Sequence, residues 1–205
     1  GSQIVANGTA AAPITITSQT DAVFGVVGPE DVQQWGGLVI NGFGVTNKCS
    51  YSGTRGTDLA LTGECHILSE GKVGGGESNY GGNNDADSSG TLRYVVVKHT
   101  GAEVAPGNEL NGIAMNAVGS GTTVENIQVY SVYDDGIEFF GGSVNVTNYV
   151  GLYVNDDSLD IDEGYNGTIQ NTLIIQSESN GNRCVESDGV GSYDDVSATP
   201  GAIDD

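Results

Sequence analysis

Apolar and polar residues alternate along several short stretches of the chain, which are separated by segments rich in Gly, Asn, Ser and Asp. Residues 144–147 read Val-Asn-Val-Thr, and a period of two is typical of a β-strand with one buried face. This pattern predicts strands at residues 92–97, 124–132, 144–154 and 168–176. Helical spacing of apolar residues is nearly absent, so the pattern predicts an all-β protein.

Short motifs repeat at an interval of 22 to 26 residues. The stretch YDDGIEF at 133–139 recurs as NDDSLDI at 155–161. In four copies a small residue precedes an aliphatic one: Gly112-Ile113, Gly136-Ile137, Ser158-Leu159 and Cys184-Val185. A period of roughly 20 to 30 residues is the coil length of a solenoid, and the aliphatic column is expected to point inward.

This repeat favours a right-handed parallel β-helix. A β-sandwich has turn signals without such columns, and the leucine-rich alternative lacks its Asn and Leu signature. The right hand is expected because parallel crossovers almost always have it. We expect a single domain over residues 1–205, with a loop insertion at 43–90 and a polar tail at 191–205. No helical cap is evident at either end, so we expect further β-helix coils or another protein there.

The chain is strongly acidic, with 27 Asp and Glu against six Lys and Arg and a formal net charge of −21. Nucleic acids and anionic membranes need clustered basic residues, so both are excluded as partners. No apolar run has transmembrane length, and we predict no membrane insertion. The surplus of acid favours cations as partners, or a solvated surface in a salty medium.

Two of the three cysteines flank a short polar loop. Cys49 and Cys65 are predicted to form a disulfide, which favours a secreted or cell-surface protein. A zinc site would need further soft ligands, and only His66 lies beside the pair. Cys184 occupies the small-residue column and is expected to be a buried thiol.

The acidic motifs predict a calcium site. Coils of a parallel stack lie about 4.8 Å apart, so carboxylates in register repel one another unless a cation offsets their charge. Calcium takes six to eight oxygen ligands and suits such a column. The candidate ligands are Asp134, Asp135, Glu138, Asp156, Asp157, Asp160 and Asp162. Asp85 and Asp87 form a second candidate cluster, and screening by water and counterions is the alternative for both.

A polysaccharide-active hydrolase or lyase is the alternative function. Its candidate catalytic residues are Asp135, Asp157, Asp160 and Arg183, because stacked carboxylates serve as acid and base in glycoside hydrolysis. Against this, both histidines lie outside the acidic columns, and the net charge repels polyanionic substrates. We therefore favour a structural or binding module, stabilised by calcium, over an enzyme. Carbohydrate is a candidate partner.

Five motifs resemble a known family. They are WGGLVING at 35–42, SGTLRYV at 89–95, NELNG at 108–112, GSGTTV at 119–124 and DDGIEFFGG at 134–142. The family comprises large secreted or lipid-anchored β-helix proteins of marine Gram-negative bacteria and Bacteroidetes. The resemblance implies an extracellular location and a chain that is a piece of a longer β-helix. It implies no particular activity.

Overall fold

The structure, a computed structural model, describes residues 2–71 and 78–188. Its strands are, in chain order, β1 (Ile4–Asn7), β2 (Ile14–Ile16), β3 (Leu38–Asn41), β4 (Tyr51–Ser52), β5 (Ala60–Leu61), β6 (Ile67–Leu68), β7 (Asn79–Tyr80), β8 (Gly90–Thr100), β9 (Ile113–Asn116), β10 (Thr123–Val132), β11 (Ile137–Phe140), β12 (Asn145–Val154), β13 (Leu159–Asp162), β14 (Ile169–Ile175) and β15 (Glu186–Ser187). The predicted tail at 191–205 lies outside the described residues.

Two parallel sheets build the body of the molecule. One has the order β1-β8-β10-β12-β14, with β2 also pairing with β8, and the other has the order β15-β13-β11-β9-β3. Each successive coil of the chain adds one strand to each sheet, always in parallel. The prediction of a parallel β-helix is confirmed. The right hand stays a prediction from the general rule for parallel crossovers.

The long strands turn a corner at a residue with positive φ. In β10 this residue is Asn126 (φ 57°), and its equivalent in β12 is Asn148 (φ 61°). Val124 and Ile127 are both buried although they are three residues apart, because the bend at Asn126 shifts the alternation by one. Asn tolerates this left-handed conformation better than most residues. The Asn148 Nδ2 also donates to the Asn126 Oδ1 at 2.9 Å.

The core is a single stack of inward-facing side chains from successive coils. The predicted aliphatic column is confirmed for three of its four members, since Ile137 pairs in register with both Ile113 and Leu159. Burial of each such side chain contributes about 1.5–3 kcal/mol. The prediction is wrong for Val185, which is 50% exposed because its coil is the last one described. The fully buried members of the core include Leu92, Val95, Val97, Ile113, Met115, Val129, Val132, Ile137, Phe139 and Tyr149.

Two local features differ from the sequence-based expectations. Cys184 is exposed, because its coil is the last one described and no described coil covers its other side. A short helix, α1 (Gln19–Phe24), begins after Ser18, whose hydroxyl accepts from the Asp21 N–H, and it ends at Gly25 in the left-handed conformation. At six residues it is too short to produce a helical apolar pattern. No helix in the described part of the chain is long and apolar enough to cross a membrane.

The insertion between β3 and β8 contains two small antiparallel pairs, β4 with β5 and β6 with β7. Cys49 and Cys65 are joined by the predicted disulfide, with a Cα–Cα distance of 5.4 Å. The insertion lies against the β-helix, since the Arg55 guanidinium donates to the backbone carbonyls of Gly142 and Gly164, each at 2.8 Å. This contact places it beside the sheet that carries the acidic motifs.

Candidate functional site

Strand alternation directs a row of acids out of the second sheet. In β11, Ile137 and Phe139 are fully buried in the core, so Glu138 between them points to the opposite face. Glu138 pairs in register with Asp160 of β13, and Asp160 pairs with Glu186 of β15. Neighbouring coils therefore present three carboxylates in one row, as the repeat predicts.

A ladder of hydrogen bonds from side chain to backbone organises the corner before these strands. The Asn111 Oδ1 accepts from the Asp135 N–H at 3.3 Å, and the Asp135 Oδ1 accepts from the Asp157 N–H at 3.0 Å. The Asp157 Oδ1 in turn accepts from the Arg183 N–H. The second Asp of each repeated Asp-Asp unit thus joins one coil to the next. This structural role explains why Asn111 occupies the equivalent position in the preceding copy.

Carboxylates of adjacent coils converge at this corner. One oxygen each from Asp134, Asp135 and Asp156 lie within 4.8 Å of one another, and so do those of Asp135, Glu138 and Asp160. Asp135 belongs to both groups, which we call the acidic face (Asp134, Asp135, Glu138, Asp156 and Asp160). Within the described residues, none of these five acids has a basic side chain at salt-bridge distance.

Burial and mutual repulsion raise the pKa values of Asp134, Asp135, Glu138 and Asp160 and so favour their neutral forms. Burial, followed by the charge of Glu70, raises the pKa of Asp134 to about 7. Burial, followed by the charge of Asp134, raises the pKa of Asp135 to about 9. For Asp160, burial and the charge of Asp162 raise the pKa to about 6. The pKa of Glu138 is raised well above its usual value, first by burial and then by Glu70.

The insertion contributes an acid of its own to the site. The Asn111 Nδ2 donates to the Glu70 Oε2 at 2.9 Å and also to the Glu138 Oε2, so Glu70 lies over the acidic face. Glu163, which follows β13, accepts from the Thr46 hydroxyl at 2.6 Å and from the Tyr80 hydroxyl at 3.0 Å. Neither Glu70 nor Glu163 was a candidate from the sequence. Glu70 lies outside the repeat, and no spacing relates it to the acidic columns.

Arg183 lies at the C-terminal side of this site. Its guanidinium is 3.5 Å from the Asp157 carboxylate and 3.0 Å from that of Glu186. Of the alternative catalytic set, Asp135 and Asp160 lie together, whereas Asp157 pairs with Arg183. Asp162 ends β13 opposite Phe140 and acts on this group through its charge, as the pKa of Asp160 indicates.

Asp85 and Asp87 lie apart from the acidic face. The carboxylate of Asp85 receives two hydrogen bonds from the Arg55 guanidinium, at 2.6 and 3.0 Å, and a third from the Val45 N–H at 3.1 Å. The Asp87 carboxylate accepts from the Phe43 N–H at 3.3 Å. The metal site suggested for this pair stays a prediction, but Arg55 already supplies positive charge to Asp85.

The donor set of the acidic face fits a hard cation. Its ligand atoms are carboxylate oxygens, the type that calcium prefers, and the buried Oδ1 of Asp160 has no hydrogen-bond partner among the described residues. The spacing fits an inverting glycoside hydrolase less well. Its two carboxyl groups stand roughly 6.5–9.5 Å apart, whereas oxygens within each group here lie within 4.8 Å.

Fold and site together define a parallel β-helix with an acidic face partly covered by an insertion. The family described as pectate-lyase-like β-helix domain matches residues 1–203 of this sequence. The chain belongs to this family. Searches of curated proteins and of solved structures found no significant match.

Proposed function

We propose that this chain is a secreted or cell-surface β-helix module with a structural or binding role, and that its acidic face binds calcium. The observation that carries the proposal is the pair of carboxylate groups that share Asp135. A bound divalent ion offsets the repulsion among Asp135, Glu138 and Asp160. It would stabilise the stacking of the β11 and β13 coils and the contact that Glu70 makes through Asn111.

The proposed location rests on different features. The disulfide between Cys49 and Cys65 favours an oxidising compartment outside the cytosol. The resemblance to secreted or lipid-anchored proteins of marine bacteria supports the same location, and a marine source is part of the proposal. Localisation of the tagged native protein in cell fractions tests it, and a cytosolic protein with reduced cysteines would contradict it.

Calcium binding is tested by isothermal titration calorimetry on protein treated with EDTA. We expect a saturable heat for the wild type and at least a tenfold weaker affinity for Glu138→Gln and Asp160→Asn, each of which removes one charged ligand. Glu103→Gln is the matched control, because Glu103 is exposed and lies outside both carboxylate groups. Absence of heat at millimolar calcium, together with no change in melting temperature, would remove the proposal.

A polysaccharide-active enzyme is the second candidate function. It is favoured by the family itself and by the raised pKa values of Asp134 and Asp160, about 7 and about 6, since a general acid needs a pKa near the working pH. Reducing-sugar and unsaturated-uronate assays on neutral and acidic glycans test it. Activity that Asp160→Asn and Asp157→Asn leave unchanged would contradict this assignment of the site.

The open strand edges suggest a further kind of partner. Within the described chain, β14 pairs only with β12 and β15 only with β13. We include in the proposal that further β-helix coils or another protein cover these edges, because unpaired strand edges are prone to association. Analytical ultracentrifugation of the chain alone is expected to show association that increases with concentration. A monomer at all concentrations would count against it.

A further inference from the structure

The insertion contains a cavity that takes no part in the acidic face. Its volume is about 360 Å³, and its lining includes Phe43, His66 and Asn83. A second cavity of about 410 Å³ shares Phe43 and Asn84 with the first. Both volumes lie within the roughly 300–1,000 Å³ typical of sites for small ligands. We call the two cavities together the insertion groove.

The floor of the first cavity is a glycine pair whose shape depends on the absence of side chains. Gly81 has a φ of +99°, and a Cβ built on it would lie 2.5 Å from the Cys65 Sγ. A Cβ on Gly82 would lie 2.4 Å from the Phe43 carbonyl oxygen. The Tyr51 hydroxyl donates to the Gly82 carbonyl at 2.7 Å. The disulfide, Tyr51 and the close backbone contact therefore fix the floor before any ligand arrives.

Phe43 is an aromatic residue that lines both cavities. Its N–H donates to the Asp87 carboxylate at 3.3 Å, and its carbonyl accepts from the Asn84 N–H at 2.9 Å. The backbone is therefore held on both sides while 55% of the residue stays exposed. An exposed aromatic side chain on a fixed backbone provides a large contact surface at a small cost in conformational entropy.

The groups around this ring indicate the class of ligand. The lining side chains of Asn79, Asn83 and Asn84 end in amides, which donate and accept hydrogen bonds equally well. Glu64 and Asp87 add negative charge at the groove, and the chain carries a formal net charge of −21, so anionic ligands are disfavoured. The hydroxyl groups of a sugar can form hydrogen bonds with these amides, and the C–H face of its pyranose ring can stack on an aromatic side chain such as Phe43.

We propose that the insertion groove binds a neutral oligosaccharide, with one sugar ring stacked on Phe43. Two cavities that share Phe43 and Asn84 suit a linear chain of sugars better than a single compact molecule. The groove does not include any residue of the acidic face, so this inference does not rest on the proposed calcium site.

Binding is measured by calorimetry in EDTA, with cellohexaose, xylohexaose and mannohexaose as neutral probes and hexagalacturonate as the anionic comparison. We expect saturable binding of at least one neutral probe and roughly a tenfold loss in Phe43→Ala, as for the removal of a central aromatic contact. Leu68→Ala is the matched control. Leu68 is 56% exposed, also belongs to the insertion, and does not line either cavity.

Asn83→Ala provides a second variant, because Asn83 is exposed and its loss is expected to weaken binding without affecting the fold. Thermal melting of each variant checks that it is folded. The proposal is overturned if no neutral probe binds at millimolar concentration, if only hexagalacturonate binds, or if Phe43→Ala and Asn83→Ala both bind as the wild type does. Binding that persists in Asp160→Asn supports a site separate from the acidic face.

Discussion

Partly buried carboxylates occur in two regions of this protein, and the two regions treat them differently. In the insertion, Asp85 receives two hydrogen bonds from Arg55. On the acidic face, Asp135, Glu138 and Asp160 face one another, and no described basic side chain lies at salt-bridge distance from them. The insertion thus carries its own compensating charge, whereas the acidic face needs protons or a cation from solution.

This difference explains why the two regions should respond to different variables. Both charges of the Arg55–Asp85 ion pair belong to the protein. The contribution of this pair to stability is therefore expected to change little with calcium. The acidic face is expected to respond to both pH and calcium, because protons and divalent ions neutralise the same oxygens.

The largest expected effect is a loss of stability with rising pH in metal-free protein. The folded-state pKa values of Asp134, Asp135 and Asp160, about 7, 9 and 6, all exceed the ordinary value of 3.8. Above pH 4 the unfolded chain releases protons that the folded chain retains, so the free energy of unfolding falls until about pH 9. Urea unfolding in EDTA at pH 5 and pH 8.5 measures this decrease in the free energy of unfolding.

Saturating calcium is expected to reverse most of this loss at pH 8.5, and Asp135→Asn is expected to reduce the slope with pH. Arg55→Met provides the comparison between the regions, since it should lower stability at both pH values and leave the slope unchanged. Equal stability of the metal-free wild type at pH 5 and pH 8.5 would contradict the account of the acidic face.

Arg55→Met is expected to give the next largest effect. The guanidinium also holds two backbone carbonyls of the β-helix, and loss of one partner leaves the Asp85 charge uncompensated. We expect a loss of about 2–3 kcal/mol, below the range for a fully buried pair because the Asp85 side chain is 30% exposed. Thermal melting measures it as a decrease of roughly 4–12 °C.

Arg93→Met is the matched control for that substitution. Arg93 pairs with Glu125 at 3.0 Å, but both side chains are about 40% exposed, at 38% and 43%. A surface pair of this kind contributes at most about 1 kcal/mol. Similar losses for Arg55→Met and Arg93→Met would mean that the insertion is not anchored by its guanidinium.

Two substitutions at Asp135 separate its charge from its hydrogen bond. Asp135→Asn keeps an oxygen for the Asp157 N–H and stays neutral without taking up a proton, whereas Asp135 is ionised in the unfolded chain at pH 8.5, so the metal-free variant should gain about 1 kcal/mol at this pH. Asp135→Ala removes the acceptor as well and should be about 1 kcal/mol less stable than Asp135→Asn. Urea unfolding compares the two. Equal stability of both variants would show that the hydrogen bond from the Asp157 N–H to Asp135 contributes nothing to the free energy of unfolding.

The smallest expected effect concerns the second candidate cluster. Asp87→Asn should change the calcium affinity by less than about twofold, since Asp87 belongs to neither converging group and long-range charge effects are screened by salt. Titration calorimetry in 150 mM salt measures it beside Asp160→Asn. A loss in Asp87→Asn as large as that in Asp160→Asn would place a calcium site in the insertion.

The repeat carried enough information to predict most of the β-helix. The columns through Ile113, Ile137 and Leu159 follow from spacing, because each coil must return its aliphatic residue to the same core position. The same spacing placed Glu138 opposite Asp160. The disulfide was predictable from two cysteines that flank one loop. These features are local or periodic, and periodicity can be read from one sequence.

The contacts between the insertion and the β-helix at this site were not predictable from the sequence. Glu70, Arg55 and Tyr80 belong to the insertion, which has no periodicity, so the coil that each one contacts cannot be deduced from spacing. The prediction for Asp157 was incomplete for another reason. A column of Asp suggested ligands for a cation, but a carboxylate oxygen in this column also accepts a backbone N–H of the next coil.

The ladder through Asn111, Asp135 and Asp157 requires only an oxygen acceptor at each position. Asn and Asp satisfy that requirement equally well, yet only Asp can ionise or give a charged ligand to a cation. Exchanging one for the other therefore offers a way to redesign the charge of this corner, coil by coil, on an unchanged backbone. A protein engineer can treat the ladder as a row of interchangeable sites for building or removing cation affinity along a β-helix.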